Sequence, residues 1–234
     1  MKEEMRPTLF VDKWKTPLTD LPVVEVGNAR LAATMYKRGF YAMEGMYGYD
    51  FYWVRSRFKV RALERRSRDG SWKVWMVDDP LHWVGMKAYV EELPPGEILV
   101  GGLGLGLCLH HMAALDKFTK ITVVEVDRDV IDLISPTLPS DDRVTIVNDD
   151  FYRYIGPEKR FDGILWDLAV GTWHEKVGDI STAFHRCRPY TDAGTKLLVF
   201  GYKQPFGELG RSTPSGSQVN AEAARDNPRA GRSP

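Results

Sequence analysis

The sequence predicts an α/β fold: a doubly wound, mostly parallel sheet preceded by a small N-terminal β-element. Three observations carry that expectation. From about residue 81 to 204, short apolar strand-like segments alternate with helix-like ones. The first of these strands runs into a glycine-rich turn, Gly101, Gly102, Gly104 and Gly106, and a helix-compatible segment leaves it. Acidic residues then recur just after the following strands, and a parallel topology gathers those strand ends on one rim.

Residues 1–80 are aromatic and β-leaning. SRFKVRALERRSRDGSWKVWMVDD reads as strands near 56–65 and 72–78 joined by a turn at Asp69-Gly70. FYAMEGMYGYDFYWV adds one or two short strands, so this region is expected to form a small sheet. Within it Arg55, Arg57, Lys59 and Arg61 alternate with Ser56, Phe58, Val60 and Ala62, which predicts one basic and one mostly apolar strand face. Arg65, Arg66 and Arg68 extend that charge, and Tyr47, Tyr49, Tyr52 and Trp53 stand close by. Such a face is either a solvated surface or a nucleic-acid or anionic-substrate surface.

Residues 81–204 form the expected main domain. LHWVGMKAYVEEL reads as an amphipathic helix stopped by Pro94-Pro95-Gly96. The candidate strands are EILVGG, ITVVEVD, RVTIVND, GILWDL and KLLVFGY. The candidate helices are LCLHHMAALDKF, RDVIDLISPTL, FYRYIG and ISTAFHRCRPY. Residues 205–234, rich in Gly, Pro, Ser and Arg with little to bury, read as a disordered tail. Its arginines are offset by Glu208, Glu222 and Asp226.

Acidic and basic residues balance at 32 each, so net charge gives no drive toward nucleic acid or an anionic membrane. No 18-residue apolar run is present and the N-terminus lacks a signal-peptide core, which makes a cytoplasmic location the default and excludes a membrane partner. Cys108 and Cys187 fit no metal-ligand spacing and read as reduced, buried apolar groups. His110 and His111 lack an acidic or cysteine partner nearby and read as packing or solvent residues, with no metal expected.

The glycine turn excludes two phosphate binders. G-x-G-x-x-G fails because Leu107 or Leu109 stands at the third glycine position. A P-loop fails because Leu107-Cys108 replaces the Lys-Ser/Thr pair. The remaining G-x-G-x-G lets a ligand approach the backbone at a helix N-terminus, or is simply a tight strand-helix turn. Glu125 ends the second strand, about twenty residues on, where a carboxylate accepts from a ribose diol. Asp149, Asp150 and Phe151 follow the third strand and Asp167 follows the fourth. Each acid alone is as readily a helix cap or turn residue. Their recurrence in order points to one crevice.

This order resembles the class I S-adenosylmethionine-dependent methyltransferase superfamily, and within it the spermidine synthase (polyamine aminopropyltransferase) branch. GGLGLG is similar to that branch's GGGxGG, and Val124-Glu125-Val126-Asp127 to its VE[IL]D. Asp149-Asp150-Phe151-Tyr152-Arg153-Tyr154-Ile155 resembles GDAxxFL, and Phe161-Asp162-Gly163-Ile164-Leu165-Trp166-Asp167 resembles YDxIIxD. The resemblance implies a Rossmann-like fold and S-adenosylmethionine, or its decarboxylated form, as cofactor. It implies Gly102 to Gly106 near the methionine moiety, Glu125 on the ribose, Asp150 on the adenine amino group and Asp167 at the reactive centre.

Two departures bear on the reaction. The branch's D-x-x-D reads Asp167-Leu168-Ala169-Val170 here, so the second carboxylate is missing, with Glu175 and Asp179 as the nearest substitutes. The pair Asp78-Asp79 is similar to the start of the branch's D-E-x-x-Y-H-E segment, but PLHWVGM then departs from it. The [DN]-P-P-[FYW] of base methyltransferases is absent as well. The expected activity is methyl transfer to an unassigned acceptor, with Asp167 as the catalytic residue and His174 as a further base or a surface histidine. The alternatives are aminopropyl transfer and a non-catalytic cofactor-binding scaffold.

Overall fold

The computed structural model describes residues 9–11, 13–45, 48–156, 158–168, 182–191 and 194–200. His174, Glu175, Asp179 and the 205–234 tail lie outside the described residues.

Five strands form a wholly parallel sheet in the order β10-β9-β8-β11-β12. They are β8 (Gly96–Gly101), β9 (Phe118–Glu125), β10 (Val144–Asn148), β11 (Gly163–Trp166) and β12 (Lys196–Val199). All five coincide with the strands expected from sequence. The chain builds outward from β8 through β9 to β10, then returns to the other side of β8 for β11 and β12. The direction reverses between β8 and β11, where helices on opposite faces part and leave a crevice at the strand carboxyl ends. Burial on both faces explains the apolar runs: Ile98, Leu99 and Val100 are all buried, as are Ile164, Leu165 and Trp166.

Helix α1 (Pro80–Glu92) starts where Asp79 caps it, accepting the His82 N–H at 2.9 Å, with Pro80 at the first helical position. Met86, Tyr89, Val90 and Leu93 enter the core with Ile98, Val100, Leu165 and Leu198, each such burial worth about 1.5–3 kcal/mol. Its apolar stripe is less clean than expected, because Val84 remains 49% exposed. Helices α2 (Leu107–Met112), α3 (Arg128–Ile134) and α4 (Phe151–Tyr154) follow β8, β9 and β10, and residues 182–187 form α5 before β12.

Before α1 the chain forms two small sheets rather than the single one expected. The first orders β1 (Leu9–Val11), β5 (Gly48–Val54) and β4 (Gly39–Gly45) as β1-β5-β4. The second is antiparallel, β2-β3-β6-β7, from β2 (Val24–Val26), β3 (Ala29–Tyr36), β6 (Phe58–Arg66) and β7 (Trp72–Val77). The β6–β7 hairpin lies where its sequence predicts it. Strand β3, ARLAATMY, lacks a clean alternation because its first half packs inward and its second half is exposed, so it carries no period-two signal.

The basic face of β6 is not continuous. Arg61 is 3% exposed, donating through Nε to Leu18 O and through Nη2 to Thr19 O, both at 3.2 Å. Its backbone N–H donates to Asp78 Oδ1 at 2.6 Å, and the Asp78 carboxylate also takes the Thr16 hydroxyl. A β-bulge between Leu63 and Glu64 shifts the β6–β7 register beyond that point. Arg65 pairs with Asp127 and, at 3.5 Å, with Asp129, so it clips the hairpin to the N-terminus of α3. Asn28 N–H donates to Asp129 Oδ2 at 2.8 Å from the β2–β3 turn. These contacts lay the hairpin against the carboxyl rim of the parallel sheet.

Candidate functional site

A cleft of about 200 Å³ opens at the switch point. It is lined on one side by Gly102, Gly104, Glu125, Val126, Asp167 and Leu168 from the ends of β8, β9 and β11. Leu63, Trp75 and Met76 of the hairpin, His82 of α1 and Phe200 after β12 close the other side. Four expected site residues therefore converge on one cleft: Gly102, Gly104, Glu125 and Asp167.

The turn is held open by steric necessity. Gly102 and Gly104 have φ of 91° and 51°. A Cβ on Gly102 would collide with the Asp167 backbone oxygen, and one on Gly104 with Met76 Sδ. Asp167 N–H donates to Gly101 O at 2.9 Å, which seats Asp167 directly beside the turn. The charge of Asp167 also reaches Cys108, whose thiol is pushed up to about 12 chiefly by burial and then by that carboxylate.

Glu125 is 8% exposed, and its two oxygens are each engaged by the backbone. Oε2 accepts from Leu103 N–H and Oε1 from Asp127 N–H, both at 2.9 Å. Each oxygen retains a second lone pair for a ligand hydroxyl. The carboxylate thus ties the end of β9 to the turn after β8.

The other expected site residues stand elsewhere. Gly101 lies under the Phe151 ring, and Gly106, the left-handed cap residue of α2, lies under Leu138. Phe151 is 3% exposed, packed with Leu99, Val124 and Trp166 in the core beneath the sheet rim, rather than on the cleft wall. Asp150 caps α4, accepting Arg153 N–H at 3.0 Å. Asp149 Oδ1 accepts from Arg153 Nε at 2.6 Å, a bond that holds its carboxyl below the usual range. Asp149 and Asp150 flank the cleft beyond β9, one strand further out.

Sequence reasoning missed the lid formed by the hairpin. Met76 Sδ accepts the Leu105 N–H at 3.1 Å, so a thioether lies over the glycine turn. Trp75 is 44% exposed at the rim beside the Arg65 guanidinium, 5.4 Å from its ring centroid. His82 also went unread, although an aspartate capping a Pro-x-His turn was a visible signal. His110 and His111 face the α1–α2 packing: His111 Nε2 lies 3.0 Å from Trp83 O, and burial lowers the pKa of both histidines.

Residues 82–185 match the Spermine/spermidine synthase domain. Polyamine aminopropyltransferase 1 of Pseudomonas aeruginosa is 29% identical over 136 residues, 55% of this chain and 45% of that protein. The match thus spans less than half the relative's length. Among solved structures, spermidine synthase from Thermotoga maritima superposes with a TM-score of 0.41 and 17% identity, covering 71% of this chain and 65% of that one. The 23S rRNA methyltransferase ErmE superposes with a TM-score of 0.39 and 18% identity, covering 52% and 46%. No described helix is long and apolar enough to cross a membrane.

Proposed function

We propose that this chain, similar to the Spermine/spermidine synthase domain over residues 82–185, is a transferase that moves an alkyl group from S-adenosylmethionine or its decarboxylated form to an acceptor. The observation that carries the reading is the meeting of Gly102, Gly104, Glu125 and Asp167 in one cleft at the switch point. The residues fit such a group: two glycines in left-handed conformation with no room for a Cβ beside Asp167 O and Met76 Sδ, a carboxylate with spare lone pairs at the diol position, and an acid beyond it. The bound sulfonium supplies an electrophilic carbon.

Roles follow the strand order. Glu125, the last residue of β9, would receive the ribose hydroxyls. The outer Asp149 and Asp150 receive the adenine amino group, Asp150 while still capping α4. The turn at Gly102–Gly104 backs the methionine portion. Asp167, on the far side of the turn, faces the transferred carbon and accepts from the incoming nucleophile. Because displacement at carbon depends chiefly on alignment, the rigid rim does most of the catalysis.

Methyl transfer is the first reading, because the branch's D-x-x-D ends in Val170 here, without the second acid that a polycationic acceptor would meet. Aminopropyl transfer is favoured by a different observation: the charged side chains lining the cleft are Glu125 and Asp167, with no Lys or Arg among the described lining residues. An acidic cleft suits a cofactor that lacks its carboxylate. Calorimetry with S-adenosylmethionine, S-adenosylhomocysteine and decarboxylated S-adenosylmethionine separates the readings. Tighter binding of the first two supports methyl transfer, and tighter binding of the third supports aminopropyl transfer. A folded sample that binds none of them sinks both.

A further inference from the structure

The cleft contains an ordered histidine that the roles above do not use. His82 Nδ1 lies 3.1 Å from Asp79 Oδ1, and the same oxygen accepts the His82 backbone N–H at 2.9 Å. Asp79 is 3% exposed, and its other oxygen accepts the Tyr36 hydroxyl at 3.1 Å. A buried carboxylate that also accepts the Tyr36 hydroxyl and the His82 backbone N–H favours the imidazole with Nδ1 protonated, which makes Nε2 its acceptor nitrogen. The Phe200 ring lies parallel to the imidazole, 7° between planes and 6.3 Å between centroids. That contact puts His82 over the β12 end of the rim.

Strand order decides which half of the cleft this is. Glu125 ends β9 and Asp167 follows β11, on opposite sides of the β8 turn. A cofactor held at its ribose by Glu125 would have its transferred group on the Asp167 side of the β8 turn, toward β11 and β12. His82 therefore belongs to the acceptor half, with Phe200, Leu168 and Asp167.

We propose that His82 is a second proton-accepting catalytic residue of this site, with Asp79 as its positioning residue, an inference that rests on the transferase reading. An acceptor N–H or O–H attacks with its heteroatom lone pair. The new bond to the transferred carbon forms as the carbon–sulfur bond breaks, and that electron pair stays on sulfur as a neutral thioether. The acceptor proton passes to His82 Nε2, and the imidazolium is stabilised by the adjacent Asp79 carboxylate. The charged and titratable groups around this imidazole are Asp79, which touches it, Tyr36 through Asp79, and Asp167 and Glu125, which line the same cleft.

The test needs no identified acceptor. The full chain is titrated by ¹H–¹⁵N NMR of the His82 ring with S-adenosylhomocysteine, neutral at sulfur, and with sinefungin, which carries an amine at the transferred position. A cation placed beside Nε2 changes the field at that nitrogen, so at one fixed pH sinefungin moves the His82 Nε2 resonance away from its position with S-adenosylhomocysteine. Asp79→Ser keeps a helix-capping oxygen and the affinity for S-adenosylhomocysteine but takes the carboxylate away from Nδ1, so the Nδ1–H tautomer preference is lost. Identical His82 Nε2 resonances with both bound ligands, or an unchanged tautomer in Asp79→Ser, overturns the inference alone. Failure of both ligands to bind the folded protein overturns the transferase reading and this inference with it.

Discussion

The Leu103 backbone N–H donates to Glu125 Oε2 at 2.9 Å, so the carboxylate expected to hold a ribose also braces the glycine turn. Removing it has two effects. Glu125→Ala is expected to lower affinity for S-adenosylhomocysteine at least tenfold, about 1.4 kcal/mol. It is also expected to destabilise the fold by about 1–3 kcal/mol, because the buried Leu103 N–H loses its partner. Glu125→Gln, which keeps one acceptor oxygen, falls between. Calorimetry and urea unfolding read the two effects separately. Undiminished affinity in a folded Glu125→Ala protein would remove the ribose from this position.

The two cleft glycines are expected to differ in what they tolerate. Gly104→Ala meets only the flexible Met76 thioether and pays the left-handed backbone penalty of about 1–2 kcal/mol. Gly102→Ala meets the Asp167 backbone oxygen, which cannot swing aside, and should cost more. Combining Gly104→Ala with Met76→Ala should recover at least about 0.5 kcal/mol of the single loss, measured as a double-mutant cycle in urea. Strict additivity would mean that Met76 does not rest on the turn in solution.

Burial raises the pKa of Asp78 above the ordinary carboxylate value despite the Thr16 and Arg61 bonds that oppose the shift. The sign follows from proton uptake. Above the unfolded value near 3.8, the native protein holds more protons than the unfolded chain, so this group's stabilisation declines as pH rises through its raised value. Asp78→Asn removes that slope. The stability of Asp78→Asn relative to the parent should therefore climb between about pH 4 and the raised value, then level off. Asp20, Asp69, Asp141 and Asp149, all held below the usual range, act at lower pH and leave this window clear. Parallel urea midpoints for the two proteins across that range would refute the assignment.

Cys108 and Cys187 are both buried, and burial pushes each thiol up to about 12. The thiolate is the reactive form, so neither should label with a disulfide reagent at pH 8 on the minutes timescale in native protein. Both should label at once in denaturant. Fast labelling of one thiol under native conditions would show that its element opens readily.

Much of the rim was legible because strand ends leave local marks. The five parallel strands are short apolar runs, and Glu125 and Asp167 are acids at their ends followed by turn residues. Asp150 shows the limit of that signal, since the same residue type at the same place caps α4. Arg61 shows it more sharply: a charge in an alternating strand reads as a solvent face, yet Leu18 and Thr19 bury it. Strand β3 left no period-two mark because half of it faces solvent on both sides.

By itself the sequence determined the parallel sheet, its glycine turn and the order of acids behind it, because each depends on residues adjacent along the chain. Only the tertiary structure decided what faces that turn. The hairpin supplies Leu63, Trp75 and Met76, and α1 and β12 supply the stacked pair His82 and Phe200. It also withdrew Phe151 into the core and gave Glu125 a second duty to Leu103. These are contacts between segments tens of residues apart, set by how two sheets and a helix pack, and no local pattern of apolar or charged residues encodes them.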